Sequence, residues 1–311
     1  MESSFRDGRS ISTRFDRYKD ILMQHEGTII RPPNEGSSIL LQVAVGCSHN
    51  KCTFCGAYKG ERFRIKDRET VSQDIAYAAR HCRDQRRLFL CGGDALVLPQ
   101  ARLQEILGEI RGQLPWVTRV GAYGSAKAVG LKSDSQLMEL RDAGMGIVYM
   151  GLESGDDETL ARVCKHGNSE AIIHQGLRIK QAGMRLSVTV LLGLGGVERS
   201  SIHARATGQV LTRMDPQHVG ALTLMLMENT PLHAQWQRGD FELPDAQGML
   251  TELRTMLECT TLTRGLFLAN HASNYLPLKV RLPSGKQAAL EQIDRALAGH
   301  EPLKDERFRA L

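Results

Sequence analysis

The sequence predicts an α/β protein whose core is a parallel β-sheet covered by helices. Three observations predict it. Short apolar runs alternate with stretches of helical period between residues 39 and 227. The runs are nearly continuous in apolar residues, as strands buried on both faces are. Cysteines, paired glycines and carboxylates gather directly after the runs, where parallel α/β sheets bind their ligands.

Each element follows in order. Residues 1–38 are polar and end in Arg31-Pro-Pro-Asn-Glu-Gly-Ser-Ser38, a turn-rich stretch that reads as a leader rather than a core element. Ile39 to Val45 is the first apolar run, ending at Gly46. A helical pattern covers Thr70 to His81, with Val71, Ile75, Ala78 and Ala79 on one face. Leu88 to Cys91 is the second run, stopped by Gly92-Gly93, and Pro99 opens a helix through Arg111. Val117 to Tyr123, Gly146 to Leu152, Leu186 to Leu192 and Val219 to Met227 are the remaining runs. Helical stretches at Ser133–Ala143, Asp157–Cys164, Ser169–Ala182 and Ser200–Met214 separate them. From about residue 228 the character changes. Pro231, Pro244, Pro277 and Pro283 punctuate two helical stretches of a smaller C-terminal extension, 229–311, that packs on a core of 39–228.

Composition narrows the function classes. Of 311 residues, 41% are hydrophobic and 24% charged, ordinary values that exclude collagen-like, disordered and disulfide-scaffold chains. The net charge of +5 is spread along the chain without a basic stripe longer than clusters such as Arg83–Arg87, so nucleic acid is not an expected partner. No window reaches the ~18 apolar residues of a membrane span, so no membrane partner is expected. The polar N-terminus has no apolar signal core, which makes the cytoplasm the expected compartment. Seven cysteines, at 47, 52, 55, 82, 91, 164 and 259, then read as free thiols or ligands rather than disulfides.

Three of the seven fall within nine residues, in Gly46-Cys-Ser-His-Asn-Lys-Cys-Thr-Phe-Cys-Gly56. Three soft thiolates on one loop suit an iron–sulfur cluster or zinc. Structural zinc usually takes four ligands as two cysteine pairs, and no second Cys-x2-Cys occurs here. His49 is a fourth candidate ligand, although so tight a loop would aim it outward. Three cysteines on a four-iron cluster leave one iron open for a substrate or cofactor.

The Cys-x4-Cys-x2-Cys loop after a first strand resembles that of radical S-adenosylmethionine (radical SAM) enzymes, over roughly Ile39 to Met227. The resemblance implies a partial parallel (β/α)6 barrel of TIM-barrel type, with the C-terminal extension covering it. It also implies a [4Fe-4S] cluster on Cys47, Cys52 and Cys55, and S-adenosyl-L-methionine (SAM) as cofactor. Phe54 matches the aromatic position near the adenine. Gly92, Gly93 and Asp94 match the motif that holds the methionine amino group. Glu153, in Gly-Leu-Glu-Ser-Gly155, matches the polar residue that contacts the ribose or the methionine moiety. Gly193, in Leu192-Gly-Leu-Gly-Gly196, matches the turn that lets the adenine approach the backbone, and Met227 would face the adenine side.

The usual spacing in that family is Cys-x3-Cys-x2-Cys, so this loop carries one extra residue. Gly-Leu-Glu-Ser-Gly and Thr230-Pro231-Leu232 are nearest in style to the branch of anaerobic coproporphyrinogen oxidase and elongator-type proteins. No second three-cysteine cluster, cobalamin domain or RNA-binding domain is read in the sequence. The implied substrate is therefore a small or medium organic molecule, a metabolite or tetrapyrrole, with flavodoxin or ferredoxin as electron donor. The implied chemistry is reductive cleavage of SAM to a 5′-deoxyadenosyl radical that abstracts hydrogen from that substrate. A zinc-stabilised binding module, or a cluster-bearing carrier without radical chemistry, is the alternative. In the extension, Asn270-His-Ala-Ser-Asn274 is either a hydrogen-bonded turn or a substrate contact.

Overall fold

A computed structural model describes residues 23–310; the first 22 residues of the expected leader, and Leu311, lie outside the described residues. The first apolar run divides in two. Strand β1 (Ile39–Gln42) enters the main sheet, whereas β2 (Ala44–Val45) turns away and pairs antiparallel with β3 (Arg64–Ile65). Strands β4 (Arg87–Cys91), β5 (Arg119–Tyr123), β6 (Met145–Glu153), β7 (Arg185–Leu192) and β8 (His218–Thr223) occupy the other five predicted runs. All six main strands are parallel, in the order β1-β4-β5-β6-β7-β8. An order that follows the chain means each crossover winds the same way, the geometry of a barrel rather than of a doubly wound sheet with a switch point.

The crossover helices form where capping and periodicity agree. Asp67 accepts from the Thr70 amide to start α1 (Arg68–His81), and Pro99 precedes α2 (Gln100–Gln113). Ser125 caps a five-residue helix, α3 (Ala126–Gly130), which the apolar pattern had not predicted. Ser133 and Gln136 make a capping box on α4 (Asp134–Asp142). Helices α5 (Asp157–Arg162), α6 (Ser169–Gln181) and α7 (Gly196–Met214) complete the layer. On β7, Leu186, Val188 and Val190 face these helices and are fully buried, each stabilising the layer by roughly 1.5–3 kcal/mol. The alternate residues, Ser187 and Thr189, face the concave side of the sheet.

The last predicted run, Val219–Met227, is strand only as far as Thr223. The reason lies in the extension. Ser273 accepts from the Thr223 amide at 3.2 Å, and Asn274 both accepts from the Thr223 hydroxyl and donates to the Ala221 carbonyl. These side chains take the place of a further ladder. After β8 come α8 (Pro231–Arg238) and α9 (Ala246–Glu258), then β9 (Gly265–Ala269), β10 (Leu278–Leu282) and α10 (Lys286–Leu297). Strand β9 adds to β8 in parallel and β10 closes the edge antiparallel to β9, giving an open eight-stranded sheet among the described residues.

Candidate functional site

The cysteine loop hangs from β2 and is tied to three other parts of the chain. Asn50 takes a left-handed conformation (φ 43°), and its side chain donates to the Tyr58 carbonyl at 2.8 Å. Lys59 in turn donates to the Asn50 carbonyl at 3.0 Å. Asparagine tolerates this conformation, so a tight turn absorbs the longer Cys47–Cys52 spacing. Thr53 donates its amide to the Val163 carbonyl after α5, and its carbonyl accepts from Leu232 in α8. Asn229 donates to the Gly56 carbonyl at 3.0 Å. The Thr230-Pro231-Leu232 segment therefore clamps the loop. His49 Nε2 stands 2.7 Å from the Cys164 carbonyl, so that ring nitrogen already has a partner.

A cavity of about 520 Å³ opens at the C-terminal ends of the strands and runs down the concave face of the sheet. Cys47, Cys52, Phe54, Cys55, Gly93, Asp94 and Glu153 all line it. Asp94 is only 2% exposed and is held by the Ser48 hydroxyl (3.1 Å), the Ser125 hydroxyl (2.6 Å) and the Ser125 amide (3.1 Å). Burial raises its pKa, with the Ser125 hydrogen bonds opposing the rise. Gly93 is required by its neighbours, because a Cβ there would lie 2.7 Å from Cβ of Cys47. Gly92 lies beneath, at φ 130°, where a Cβ would meet the Ala44 carbonyl oxygen at 2.9 Å.

Glu153 sits at a β-bulge between β6 and β7 with φ 64°, strained for a non-glycine residue. Its carboxylate folds back over Gly151 and accepts from Lys165 Nζ at 3.0 Å. A Cβ on Gly151 would lie 2.1 Å from that carboxylate, so the glycine leaves the space the side chain occupies. Burial lowers the Lys165 pKa, but Glu153 and Cys52 outweigh it and leave the ammonium above its ordinary value. Burial pushes the Cys52 thiol up to about 11, opposed by Lys165, and also raises Cys55. Coordination to a metal deprotonates a thiol outright.

Three predicted residues lie outside the cavity lining: Gly92 beneath Gly93, and Gly193 and Met227 behind it. The Gly193 amide donates to Glu252 Oε1 at 2.6 Å, and a Cβ there would strike the Met249 side chain. Met227 packs against Gly56, whose Cβ would lie 2.7 Å from the methionine sulfur. Glu252 also accepts from the Ser200 hydroxyl (2.6 Å) and lies 3.1 Å from His203 Nε2. That distance is good, but the angle is poor for a hydrogen bond. On its other side, His203 Nδ1 is 2.7 Å from the Ser154 hydroxyl. All three side chains are almost wholly buried, so this chain of groups braces the Glu153–Ser154 turn against α7 and α9.

Sequence reasoning missed several cavity residues. Residues 30–34, within the expected leader, line the cavity, and neighbouring Glu35 is 0% exposed. Glu35 accepts from the Tyr149 hydroxyl at 2.5 Å and from Arg119 and Ser38, anchoring the segment beneath the strands. The proline pair, with an acid two residues on, was its only signal. Tyr58 contributes a buried hydroxyl with no hydrogen-bond partner among the described residues. In the 270–274 segment the two readings divide: Ser273 and Asn274 cap β8, while Asn270 and His271 line the cavity.

A family profile described as the Radical SAM superfamily matches residues 41–205. The chain belongs to the radical SAM superfamily. It is thus an enzyme of α/β fold, and solved radical SAM structures share its fold. Methylornithine synthase (PylB) aligns with TM-score 0.51 at 17% identity, over 72% of this chain and 63% of that one. Coproporphyrinogen III oxidase (HemN) from Escherichia coli gives 0.54 at 16%, over 71% and 51%. The radical SAM methyltransferase TsrM from Kitasatospora setae gives 0.54 at 18%, over 66% and 39%. The chain thus spans between 39% and 63% of the length of these structures. No curated protein sequence matches it significantly.

The donor set fits the cofactor this superfamily implies. Cys47, Cys52 and Cys55 line one cavity, and three thiolates would hold three irons of a four-iron cluster and leave the fourth open.

Proposed function

We propose that Cys47, Cys52 and Cys55 hold a [4Fe-4S] cluster with one iron left for SAM, and that the enzyme generates a radical on a small organic substrate. When bound, the cluster and SAM supply one-electron cleavage of the sulfonium to methionine and a 5′-deoxyadenosyl radical, which takes a hydrogen atom from the substrate. The observation that carries this reading is the convergence of the three cysteines, Phe54, Gly93, Asp94 and Glu153 on one cavity. Asp94 and the backbone at Gly92-Gly93 hold the methionine ammonium of SAM. Glu153, aimed by Lys165, contacts the ribose or the methionine moiety, and Phe54 lies against the adenine. Gly193 and Met227 act from behind the lining, by shaping the turn after β7 and by backing the cysteine loop.

The chain's own work is positioning and exclusion of water, because a carbon radical attacks whatever lies closest. The extension, 229–311, covers the core by clamping the cysteine loop and adding Asn270 and His271 to the cavity. An external one-electron donor of the flavodoxin or ferredoxin kind reduces the cluster. Seven cysteines with no disulfide among the described residues support work in the reducing cytoplasm. Anaerobic reconstitution tests the reading: about four irons per chain, broad absorption near ~400 nm, and 5′-deoxyadenosine on reduction with dithionite and SAM. A colourless, zinc-loaded protein would overturn it, as would SAM binding without cleavage.

A further inference from the structure

The inner wall of the cavity is unusual for a barrel. Barrel interiors are packed mostly with Val, Ile and Leu. Here the concave face of β7 presents Ser187 and Thr189, and the adjacent position on β8 is His218, paired in register with Ser187. Neither hydroxyl has a side-chain hydrogen bond among the described residues, and Nδ1 of His218 is buried with no partner. Gly220, next along the same face of β8, is not demanded by its neighbours, since a Cβ there would meet nothing closer than 3.9 Å. A glycine that weakens a strand without being required sterically leaves room for something else to approach.

Charge adds a second, independent observation. Both carboxylates that line the cavity are already engaged, Asp94 by Ser48 and Ser125 and Glu153 by Lys165. Arg31 and Lys127 also line it, and neither has a carboxylate partner among the described residues. Arg31 is itself solvent-exposed and stands at the mouth of the cavity it lines. It is carried on the segment that the buried Glu35 anchors, so its backbone is fixed in place. The cavity thus holds excess positive charge on one wall and free hydroxyls on the other, and of these groups the buried Nδ1 of His218 is the one that is costly unless a ligand meets it.

Building on the proposed radical SAM function, we infer that the substrate is a small polar carboxylate. Its anionic group pairs with Arg31, and its polar body lies along Ser187, Thr189 and His218. A cavity of about 520 Å³ lies within the range of a single small-molecule site, so a substrate that shares it with SAM is smaller than a tetrapyrrole.

The test uses the reconstituted holoenzyme with SAM bound and a stated probe series: acetate, succinate, glutarate and adipate against acetamide, succinamide, glutaramide and adipamide, titrated by calorimetry. At least one carboxylate is expected to bind at least tenfold more tightly than its amide. Arg31→Gln should remove that difference and Arg31→Lys should retain part of it, with SAM affinity changed by less than twofold. The inference is overturned if no carboxylate outbinds its amide or if Arg31→Gln leaves carboxylate affinity within twofold. It also falls if the substitution weakens SAM instead, which would assign Arg31 to the cofactor. Should Arg31→Gln fail to fold by circular dichroism, Ser187→Ala with His218→Asn replaces it, and a carboxylate affinity within twofold of the parent again overturns the inference. Iron content and dithionite-driven SAM cleavage are read on the same samples. Absence of SAM cleavage in the iron-loaded, SAM-bound parent would break the proposed function while the carboxylate difference stays measurable.

Discussion

At the rim of the cavity Asp94 is held by two serines, Glu153 by Lys165 and His49 by a backbone carbonyl, whereas on the inner wall Ser187, Thr189 and Nδ1 of His218 have no partner among the described residues. The two regions adjoin: Glu153 at the end of β6 pairs in register with Val190, the residue after Thr189 on β7. Their difference is one of completion. Rim side chains are fixed before any ligand arrives, as suits a cofactor whose shape never changes and whose orientation must be right on every turnover. Inner-wall groups await a partner, and the buried Nδ1 of His218 costs stability that a ligand would return.

The largest break in that comparison comes from the rim. Cys52→Ala removes one of the three thiolates on a loop tied down by Thr53, Asn229 and Leu232, so the loop stays in place while the donor set fails. Iron should fall to a small fraction of the parent value and SAM cleavage below detection, with far-ultraviolet circular dichroism unchanged. Iron content and cleavage close to the parent would remove Cys52 from the ligand set.

A smaller break tests how finely the rim is set. In Gly151→Ala the new methyl would sit 2.1 Å from the Glu153 carboxylate and 2.8 Å from Lys165 Nζ. Both atoms are ends of flexible side chains, so the strand survives and the carboxylate swings away. SAM affinity should weaken about tenfold, or ~1.4 kcal/mol, with the cluster intact and little change in Tm. An unchanged SAM Kd would mean that the folded-back pose of Glu153 has no part in cofactor binding.

Much of the rim was legible in the sequence, and the reason is chemical. The Cys-x4-Cys-x2-Cys spacing is rare, Gly92-Gly93-Asp94 and Glu153 stood out by following strands in the same order, and the strands were legible because Leu88–Leu90 or Leu186–Leu192 are apolar almost throughout. Partners that complete the rim, Ser48, Ser125 and Lys165, were not legible. They are common residues whose meaning comes from a fold that brings positions 31 and 12 residues apart into contact. The inner wall was harder still. Ser187 and Thr189 read as mild interruptions of an apolar run, and Arg31 sat in a segment whose prolines and glycine carry no periodicity. The sixth run overshot its strand because Leu224–Met227 are as apolar as the strand itself, while the side chains that end it lie 50 residues downstream. Local pattern reports burial well, but not which distant side chain completes a hydrogen bond.

The finest test sets one serine against another. Ser154 is wholly buried, accepts from the Asp156 amide at 3.0 Å and meets His203 Nδ1 at 2.7 Å. Ser154→Ala would strand both groups in the interior, so a loss of about 1–3 kcal/mol and a lower Tm are expected. Ser187 is also buried, at 6% exposure, but its hydroxyl faces the cavity with no partner among the described residues. Replacing it with alanine breaks no hydrogen bond, so Ser187→Ala should leave Tm and SAM affinity unchanged or raise Tm slightly. If both variants lost stability equally, the Ser187 hydroxyl would be serving the fold, and the division between a finished rim and an unfinished wall would not hold. If Ser154→Ala were the neutral one, the Ser154–His203–Glu252 brace would carry no load, and Glu153 would need another explanation for its strained backbone.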